Sequence, residues 1–332
     1  MMNYEMFKEI VSEKLADYLP EEYKDRKLSF GVFDKINTKR DGVTFMVTED
    51  DPRVSPTMYL DGLYEDYKKI GDIELVLHGA AQDLCKHLEI GKEMVEKIHV
   101  DEIRDNVFFS VINAEQNQEY LQNRPHRPYN DLAIVYDYLV EINETGIVSV
   151  PITNDLARLA GLEEHELFAL SEENTKRLLP TVIKPMSHVI AELMDMDTVP
   201  FELRQAIEQE MEINEPMFVI TNASKHRGAG AMLYEDGLHE LSTFLQNDLY
   251  LLPSSIHELI AVSADTMTPL ELADMVEEIN QMEVEIGDRL SNQVYHYDRT
   301  TRKVTMATDT PNKSLDNHRE YQEFEVTRGT VR

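Results

Sequence analysis

The first half of the chain opens with apolar spacing that predicts a helix followed by a two-stranded hairpin. From Tyr4 to Leu19 apolar side chains recur at helical spacing, and Pro20 ends the run. Two strand-like segments, Leu28–Ile36 and Val43–Thr48, flank Asn37–Gly42, where Asp-Gly favours a tight reversal. A helix and three further strands are predicted at Glu74–Leu88, Asn106–Ile112, Leu132–Ile142 and Val148–Pro151. Residues 1–150 are therefore predicted to form an N-terminal helix and sheet region.

Residues 151–215 predict a helical linker region. Its first part has the outline of a helix-turn-helix with Gly161 in the turn, and an acidic amphipathic helix follows from Thr198 to Ile213. A DNA-reading helix offers basic and amide side chains, whereas the second helix here begins with three glutamates among residues 163–166. We interpret the outline as a structural helical hairpin.

Residues 216–307 predict a C-terminal α/β module, because short apolar runs alternate with amphipathic segments. The predicted strands are Met217–Thr221, Leu249–Leu252, Ile256–Val262, Val294–Tyr297 and Lys303–Ala307, and the predicted helices are Gly230–Leu245 and Pro269–Val284. Residues 308–332 are polar and weakly periodic, so we expect a disordered tail. The whole pattern predicts an α+β fold with mixed, largely antiparallel sheets packed with amphipathic helices.

The composition is strongly acidic. The 332 residues include 63 acidic and 32 basic side chains, which leaves a formal net charge of −31 at pH 7. Such a charge opposes contact with nucleic-acid phosphates and with an anionic membrane surface, so we expect neither as a partner. An acidic protein that mimics DNA is a further alternative, and it requires carboxylates arrayed on one face at phosphate-like spacing.

The single cysteine, Cys85, excludes an intramolecular disulfide and any all-cysteine metal site within one chain. This cysteine usage fits a reducing cytoplasm. The N-terminus lacks the basic flank and uninterrupted apolar core of a signal peptide, and no run of about 18 apolar residues occurs. We therefore expect a cytoplasmic protein without membrane contact.

Residues 222–230 form a segment that we call the cationic loop. Lysine and arginine supply positive charge, glycines let the backbone approach closely, and a helix that follows would add its N-terminal dipole, so the loop suits an anion. A solvated turn whose cations pair with nearby carboxylates is the structural alternative. The loop is neither a Walker A loop nor a dinucleotide fingerprint, so no cofactor is predicted. The predicted ligand-binding residues are Asn222, Ser224, Lys225, His226, Arg227, Gly228 and Gly230.

Residues 253–258 form a second polar segment, which we call the histidine turn. A hydrolase would use Ser254 or Ser255 as nucleophile, His257 or His226 as base and a carboxylate to orient the base, with Glu258 a weak candidate. No Gly-x-Ser-x-Gly elbow is present, and paired serines commonly cap a turn. The segment from His257 begins like a zinc peptidase motif, but Ala261 stands where the second histidine is needed, so no metal is predicted.

Several motifs of the chain resemble those of a known family. They are Val54-Ser55-Pro56-Thr57-Met58-Tyr59-Leu60, Asn174, Thr221-Asn222, Gly228-Ala229-Gly230-Ala231-Met232-Leu233-Tyr234 and Leu252-Pro253-Ser254-Ser255-Ile256-His257-Glu258. Together they are similar to the uncharacterised bacterial domain-of-unknown-function family numbered 5688, over about residues 3–307. The resemblance implies no established activity, so it supplies no catalytic residue, but it marks both the cationic loop and the histidine turn.

The sequence therefore favours a binding or accessory protein, with a hydrolase and a DNA mimic as alternatives. We expect the cationic loop and the histidine turn to meet across adjacent strands and to engage a protein partner or a small anionic ligand.

Overall fold

The computed structural model describes residues 1–46, 56–143, 146–193, 217–253 and 255–309. It confirms the predicted α+β class, because helices pack with three mainly antiparallel sheets. Within the described ranges, none of the helices combines the length and the apolar character that crossing a lipid bilayer requires.

The chain divides into two compact units, each assembled from separate stretches of sequence. The first unit comprises residues 1–108, 119–125 and 136–174, and the second comprises residues 109–118, 126–135 and the chain from Thr175. The predicted N-terminal region is thus shared between the units, whereas the predicted C-terminal module belongs to the second unit alone.

The first part of the first unit contains three helices and a three-stranded antiparallel sheet of order β1-β2-β3. Its elements are α1 (Tyr4–Lys14), β1 (Leu28–Lys35), β2 (Thr38–Phe45), β3 (Thr57–Tyr59), α2 (Leu60–Ile70) and α3 (Ile73–Glu96). Asn3 and Asp72 cap α1 and α3 by accepting backbone N–H groups of the first turn. The apolar faces meet in one buried core that includes Phe7, Val11, Leu15, Val43, Phe45, Leu77, Leu84 and Leu88.

The reversal between β1 and β2 lies earlier than predicted. The strands are joined by the two residues Ile36 and Asn37, and Asn37 has a left-handed backbone with φ of 58°. Asparagine tolerates this conformation better than most residues, which makes it a favourable turn residue. The Asp41-Gly42 pair lies instead inside β2, where Gly42 faces Gly31 across the ladder.

The middle of the chain builds a four-stranded sheet and a helical hairpin. Its elements are α4 (Ile103–Asn106), β4 (Val107–Asn113), α5 (Gln118–Gln122), β5 (His126–Tyr129), β6 (Leu132–Asn143), β7 (Gly146–Pro151), α6 (Asn154–Leu159) and α7 (Glu164–Leu178). Strand β6 lies beside β4 and pairs with β5 along its first residues and with β7 along the rest. The turn between α6 and α7 contains Gly161 at φ of 63°, as the helical-hairpin interpretation expects.

The second unit contains a six-stranded sheet of order β13-β12-β10-β11-β9-β8, in which each neighbouring pair is antiparallel. Its strands are β8 (Thr181–Pro185), β9 (Met217–Asn222), β10 (Leu249–Leu252), β11 (Leu259–Ser263), β12 (Tyr295–Asp298) and β13 (Lys303–Met306). Its helices are α8 (Met186–Leu193), α9 (Glu235–Leu245) and α10 (Pro269–Met282), and a 3₁₀ turn covers Gly228–Leu233. One buried cluster joins the sheet to α10 through Leu252, Val262, Leu272, Ala273, Val276 and Val294.

Strand β8 is an element that the sequence analysis did not predict within the helical linker region, residues 151–215. Thr181, Val182 and Ile183 are β-branched, and they pair with β9 at the edge of the six-stranded sheet. Pro185 is compatible with this position, because an edge strand needs ladder partners on one side only. The predicted helix Thr198–Ile213 lies outside the described residues.

The described end of the chain is packed against the sheet. Thr308, the first residue of the predicted tail, is buried, and its hydroxyl accepts from the backbone N–H of Val294 over 2.9 Å. Residues 310–332 lie outside the described residues.

Candidate functional site

The cationic loop is closed by its first residue, Asn222, which is buried at the end of β9. The Asn222 side-chain oxygen accepts the backbone N–H groups of Ser224 and His226, over 3.1 and 3.3 Å. Its amide nitrogen donates to the His226 carbonyl over 2.7 Å. Asparagine is suited to this task, because its short side chain bonds readily to the backbone a few residues ahead.

Two cationic residues of the loop have a left-handed backbone. Lys225 has φ of 52° and Arg227 has φ of 51°. For a residue with a side chain this conformation costs on the order of 1 kcal/mol relative to glycine, and such strain clusters at functional sites. Lys225 is exposed, whereas Arg227 is half-buried and its guanidinium donates to the Ser110 hydroxyl over 3.3 Å.

The two glycines of the loop allow its backbone to pack closely against neighbouring residues. A Cβ placed on Gly228 would lie 2.3 Å from the Thr221 hydroxyl and 2.5 Å from the His257 carbonyl. A Cβ placed on Gly230 would lie 3.3 Å from the ring of Phe109. Both glycines are buried, so their contribution to the predicted site is to let the loop approach its neighbours.

The structure brings the cationic loop and the histidine turn together. The Arg227 backbone N–H donates to His257 Nδ1 over 3.2 Å, and the Thr221 hydroxyl donates to the His257 carbonyl over 2.8 Å. The Ala229 N–H donates to the Ile256 carbonyl over 3.2 Å. The contact arises because β9 and β11 are antiparallel neighbours, so the end of one and the start of the other share one end of the sheet.

The imidazole of His257 is held at both nitrogens. Because Nδ1 accepts the Arg227 N–H, the ring hydrogen of the neutral tautomer lies on Nε2, which is 3.3 Å from the Asp288 carboxylate. The ring of His226 lies beside it, with 5.7 Å between the ring centroids. His226, Arg227 and His257 are each half-buried.

The serine chemistry considered for the histidine turn is not assembled around Ser255. Its hydroxyl oxygen accepts the backbone N–H of His257 over 3.0 Å, which is a turn-capping bond. Nδ1 of His257 accepts from Arg227, and Nε2 carries the hydrogen that faces Asp288, so neither nitrogen is placed to take a proton from Ser255. Glu258 is exposed, and Ser254 lies outside the described residues.

The charges near Lys225 are mixed. A hydrogen bond from Lys184 lowers the pKa of Glu192 below its ordinary value, and the charges of Lys184 and Lys225 lower it further. Lys225 itself forms no ion pair with a carboxylate in the described part of the chain. The same part of the chain holds no group of three or more histidine, cysteine, aspartate or glutamate side chains that could bind a metal ion.

Three residues of this region are absent from the site residues that the sequence predicted. Thr221 immediately precedes the loop, and Ser110 is a polar residue inside the apolar strand β4, a signal that the sequence does carry. Asp288 lies 31 positions after His257 on a separate turn, and no sequence pattern links the two residues.

Comparison with known proteins identifies a family. A family model described as a family of unknown function, DUF5688, matches residues 4–299. No curated protein matches the chain, and no solved structure does.

Proposed function

The chain belongs to DUF5688, a family of unknown function, and we propose that it is a bacterial cytoplasmic binding protein that captures an anionic group with the cationic loop. The anionic group is carried by a small ligand or by a protein partner. The resemblance of its motifs supports the bacterial origin, and the single, buried Cys85 supports the cytoplasm.

The backbone of Lys225 and Arg227 is the observation that carries this proposal. The other described non-glycine residues with left-handed backbone are Asn37, Asn130, Gln246 and Arg302. Glycine or asparagine at 225 and 227 would relieve the strain, yet the chain keeps two cations there, in a protein of net charge −31. Their side chains are therefore assigned a role that outweighs the backbone cost.

The loop is also held in place before any ligand arrives. Asn222 closes it from one end, and His257 fixes the backbone of Arg227 from the histidine turn. Binding groups that are already ordered lose less conformational entropy on association, which raises affinity for a given set of contacts. An anion at this loop would meet the exposed Lys225 ammonium first.

Native affinity purification with mass spectrometry of proteins and small molecules tests the proposal. We compare the wild type with the double variant Lys225→Glu, Arg227→Glu and with the control Arg302→Glu. Arg302 is an exposed cation with φ of 56° on the turn between β12 and β13, so it matches Lys225 in charge and backbone. The wild type and the control should retain a bound species that the double variant loses. Because Arg227 also bonds to Ser110, the three proteins are compared at a temperature at which thermal melts show each of them folded.

The same set of proteins separates the alternatives. Retention of one species by all three proteins would reject the cationic loop as the binding site. If that species is a DNA-binding protein whose association weakens steeply with salt, the acidic DNA mimic becomes the favoured function.

Two glycine substitutions test whether the left-handed backbone at Lys225 is kept for the sake of its side chain. Lys225→Gly and Arg302→Gly should each gain on the order of 1 kcal/mol from relief of the left-handed backbone. Only Lys225→Gly should lose the bound species. A Lys225→Gly protein that binds as the wild type does would show that the side chain has no part in capture.

A further inference from the structure

We propose that the protonation state of His257 controls the cationic loop: the neutral ring holds the loop in its binding conformation, and the protonated ring releases it. The inference rests on the proposed function, because it states how anion capture at this loop is regulated. Capture is strong while the ring is neutral and weak once the ring carries a second hydrogen. Histidine suits this task, because it is the side chain whose charge ordinarily changes between about pH 5 and about pH 8.

The control follows from the direction of one hydrogen bond. The donor is the backbone N–H of Arg227 and the acceptor is Nδ1 of His257, over 3.2 Å. A backbone N–H can only donate, so the bond requires that Nδ1 carries no hydrogen. A protonated imidazole has a hydrogen on both ring nitrogens, so it turns a second donor toward the Arg227 N–H and the bond is lost.

The bond supports the strained part of the loop. Arg227 has a left-handed backbone, with φ of 51° and ψ of 34°, which is costly for a residue with a side chain. On one side of it Asn222 holds the backbone of His226, and on the other side the Ala229 N–H bonds to the histidine turn. Protonation therefore acts on Arg227 between two held positions, so we expect a local change of the loop and not its unfolding.

The ring of His257 faces one carboxylate and one further imidazole in the described part of the chain. Asp288, on the turn of residues 286–288, lies 3.3 Å from Nε2, and the ring of His226 lies 5.7 Å away between centroids. Arg227 contacts the ring through its backbone N–H, whereas its guanidinium donates to a serine of β4. Glu258, the next residue along the chain, is exposed. Asp288 is thus the group that pairs with an imidazolium at position 257.

Asp288 decides the sign of the effect on binding. A positive charge on His257 would by itself attract an anion to the loop. The carboxylate of Asp288 pairs with that charge, so an anion bound at the exposed Lys225 gains little from it. The lost bond to Arg227 has no such compensation, because two donors then face each other. Protonation of His257 therefore weakens capture.

His296 provides a matched control within the same unit. Its Nε2 lies 3.1 Å from the carboxylate of Asp248, much as Nε2 of His257 lies near Asp288. Its ring lies on β12 beside the ring of Tyr250 and not beside the cationic loop. The variant His296→Asn therefore removes a titrating histidine of similar surroundings without changing the bond to the loop.

Nuclear magnetic resonance between about pH 5 and about pH 8 tests the release without any ligand. In the wild type, the amide signal of Arg227 should shift in one step whose midpoint equals that of the His257 ring signals. His296→Asn should keep the step, and His257→Asn should abolish it, because an amide oxygen accepts the N–H at every pH. A wild type whose Arg227 amide does not follow the His257 ring, or a step that persists in His257→Asn, would overturn the proposal.

Sulfate tests the link to capture, because its charge stays the same throughout this pH range. The shift of the Lys225 amide on addition of sulfate measures the affinity at each end of the His257 titration. The protonated wild type should bind sulfate about fivefold or more weakly than the neutral one, a factor that corresponds to one lost hydrogen bond. His257→Asn should lack this difference.

The two possible failures are distinguishable. Sulfate affinity that is equal in both states of the ring, or higher in the protonated one, would refute the regulation. An Arg227 step without sulfate binding in either state would reject anion capture at the loop, which is a failure of the proposed function and not of the release by His257.

Discussion

The backbone N–H of Arg227 donates to Nδ1 of His257 over 3.2 Å, and this bond joins the cationic loop to the histidine turn. A side-chain acceptor in the turn before β11 thereby satisfies a backbone donor of the strained loop that follows β9. Arg227 has a left-handed backbone, so this bond helps to offset the cost of the loop conformation.

Two substitutions of His257 should distinguish the hydrogen bond that Nδ1 accepts from the packing of the imidazole ring. In His257→Asn the side-chain oxygen lies near the former Nδ1 position and can still accept from Arg227, whereas His257→Phe leaves that N–H without a partner. We expect His257→Phe to lose about 1–3 kcal/mol of unfolding free energy and His257→Asn to lose less. Urea denaturation measures both values. Equal losses would show that the bond to Arg227 does not contribute.

Gly228 should tolerate no side chain. A Cβ there would lie 2.3 Å from the Thr221 hydroxyl, 2.5 Å from the His257 carbonyl and 2.8 Å from the Asn222 nitrogen, so the loop would have to move. We expect Gly228→Ala to cost about 3 kcal/mol or more.

Gly237 in α9 provides the matched control for this substitution. A Cβ on Gly237 would make an ordinary contact of 3.5 Å with Ile183, so Gly237→Ala should stabilise the helix by up to about 1 kcal/mol. Chemical denaturation of both variants tests the contrast. A Gly228→Ala protein as stable as the wild type would contradict the close approach.

Removal of the Thr221 hydroxyl should loosen the histidine turn. This hydroxyl donates to the His257 carbonyl over 2.8 Å, and valine keeps the shape of threonine without the donor. We expect Thr221→Val to cost about 1–3 kcal/mol, because the carbonyl loses that donor, and Thr221→Ser to cost less. Amide hydrogen exchange at residues 255–258 should rise in Thr221→Val. Unchanged exchange in both variants would argue against the bond.

Alkaline pH should destabilise the second unit through Tyr295. Burial raises the pKa of Tyr295 well above its ordinary value. The negative charge of Asp131, whose carboxylate accepts a hydrogen bond from the Tyr295 hydroxyl, raises this pKa further. The native state therefore holds this proton more tightly than the unfolded chain. The stabilisation that protonated Tyr295 provides is complete below the ordinary phenol pKa of about 10. It is lost as the pH rises above that value.

The variant Tyr295→Phe isolates this contribution. The free energy of unfolding, measured in urea from about pH 9 to about pH 11, should fall less steeply with pH in Tyr295→Phe than in the wild type. Some slope should remain, because burial also raises the pKa of Tyr129 to about 12, with a further contribution from the charge of Glu235. Identical slopes for variant and wild type would disprove the role of Tyr295.

Sequence periodicity predicted the strands and helices of residues 217–307 closely. Strand Leu249–Leu252 matches the prediction residue for residue, and the helix that begins at Pro269 was expected at that residue. The sequence predicts these elements because each of them buries one face. A buried face places apolar residues at the spacing of a helix or a strand.

Periodicity missed two short edge strands, β5 and β8, although it predicted the edge strand β13. The sequence predicts no strand at β5 and places β8 in the helical linker region, and each of the two strands contains a proline. A proline within a short strand removes a backbone donor and weakens the strand pattern, so these two segments carry little strand signal.

The sequence by itself determined the α+β class, the acidic charge and the two polar segments at residues 222–230 and 253–258. Only the tertiary structure decided that these segments touch, that Ser110 meets the guanidinium of Arg227, and that Asp288 faces His257. The reason is physical. Local patterns depend on residues a few positions apart, whereas the bond from Thr221 to His257 spans 36 positions and exists because β9 and β11 are neighbours in the sheet.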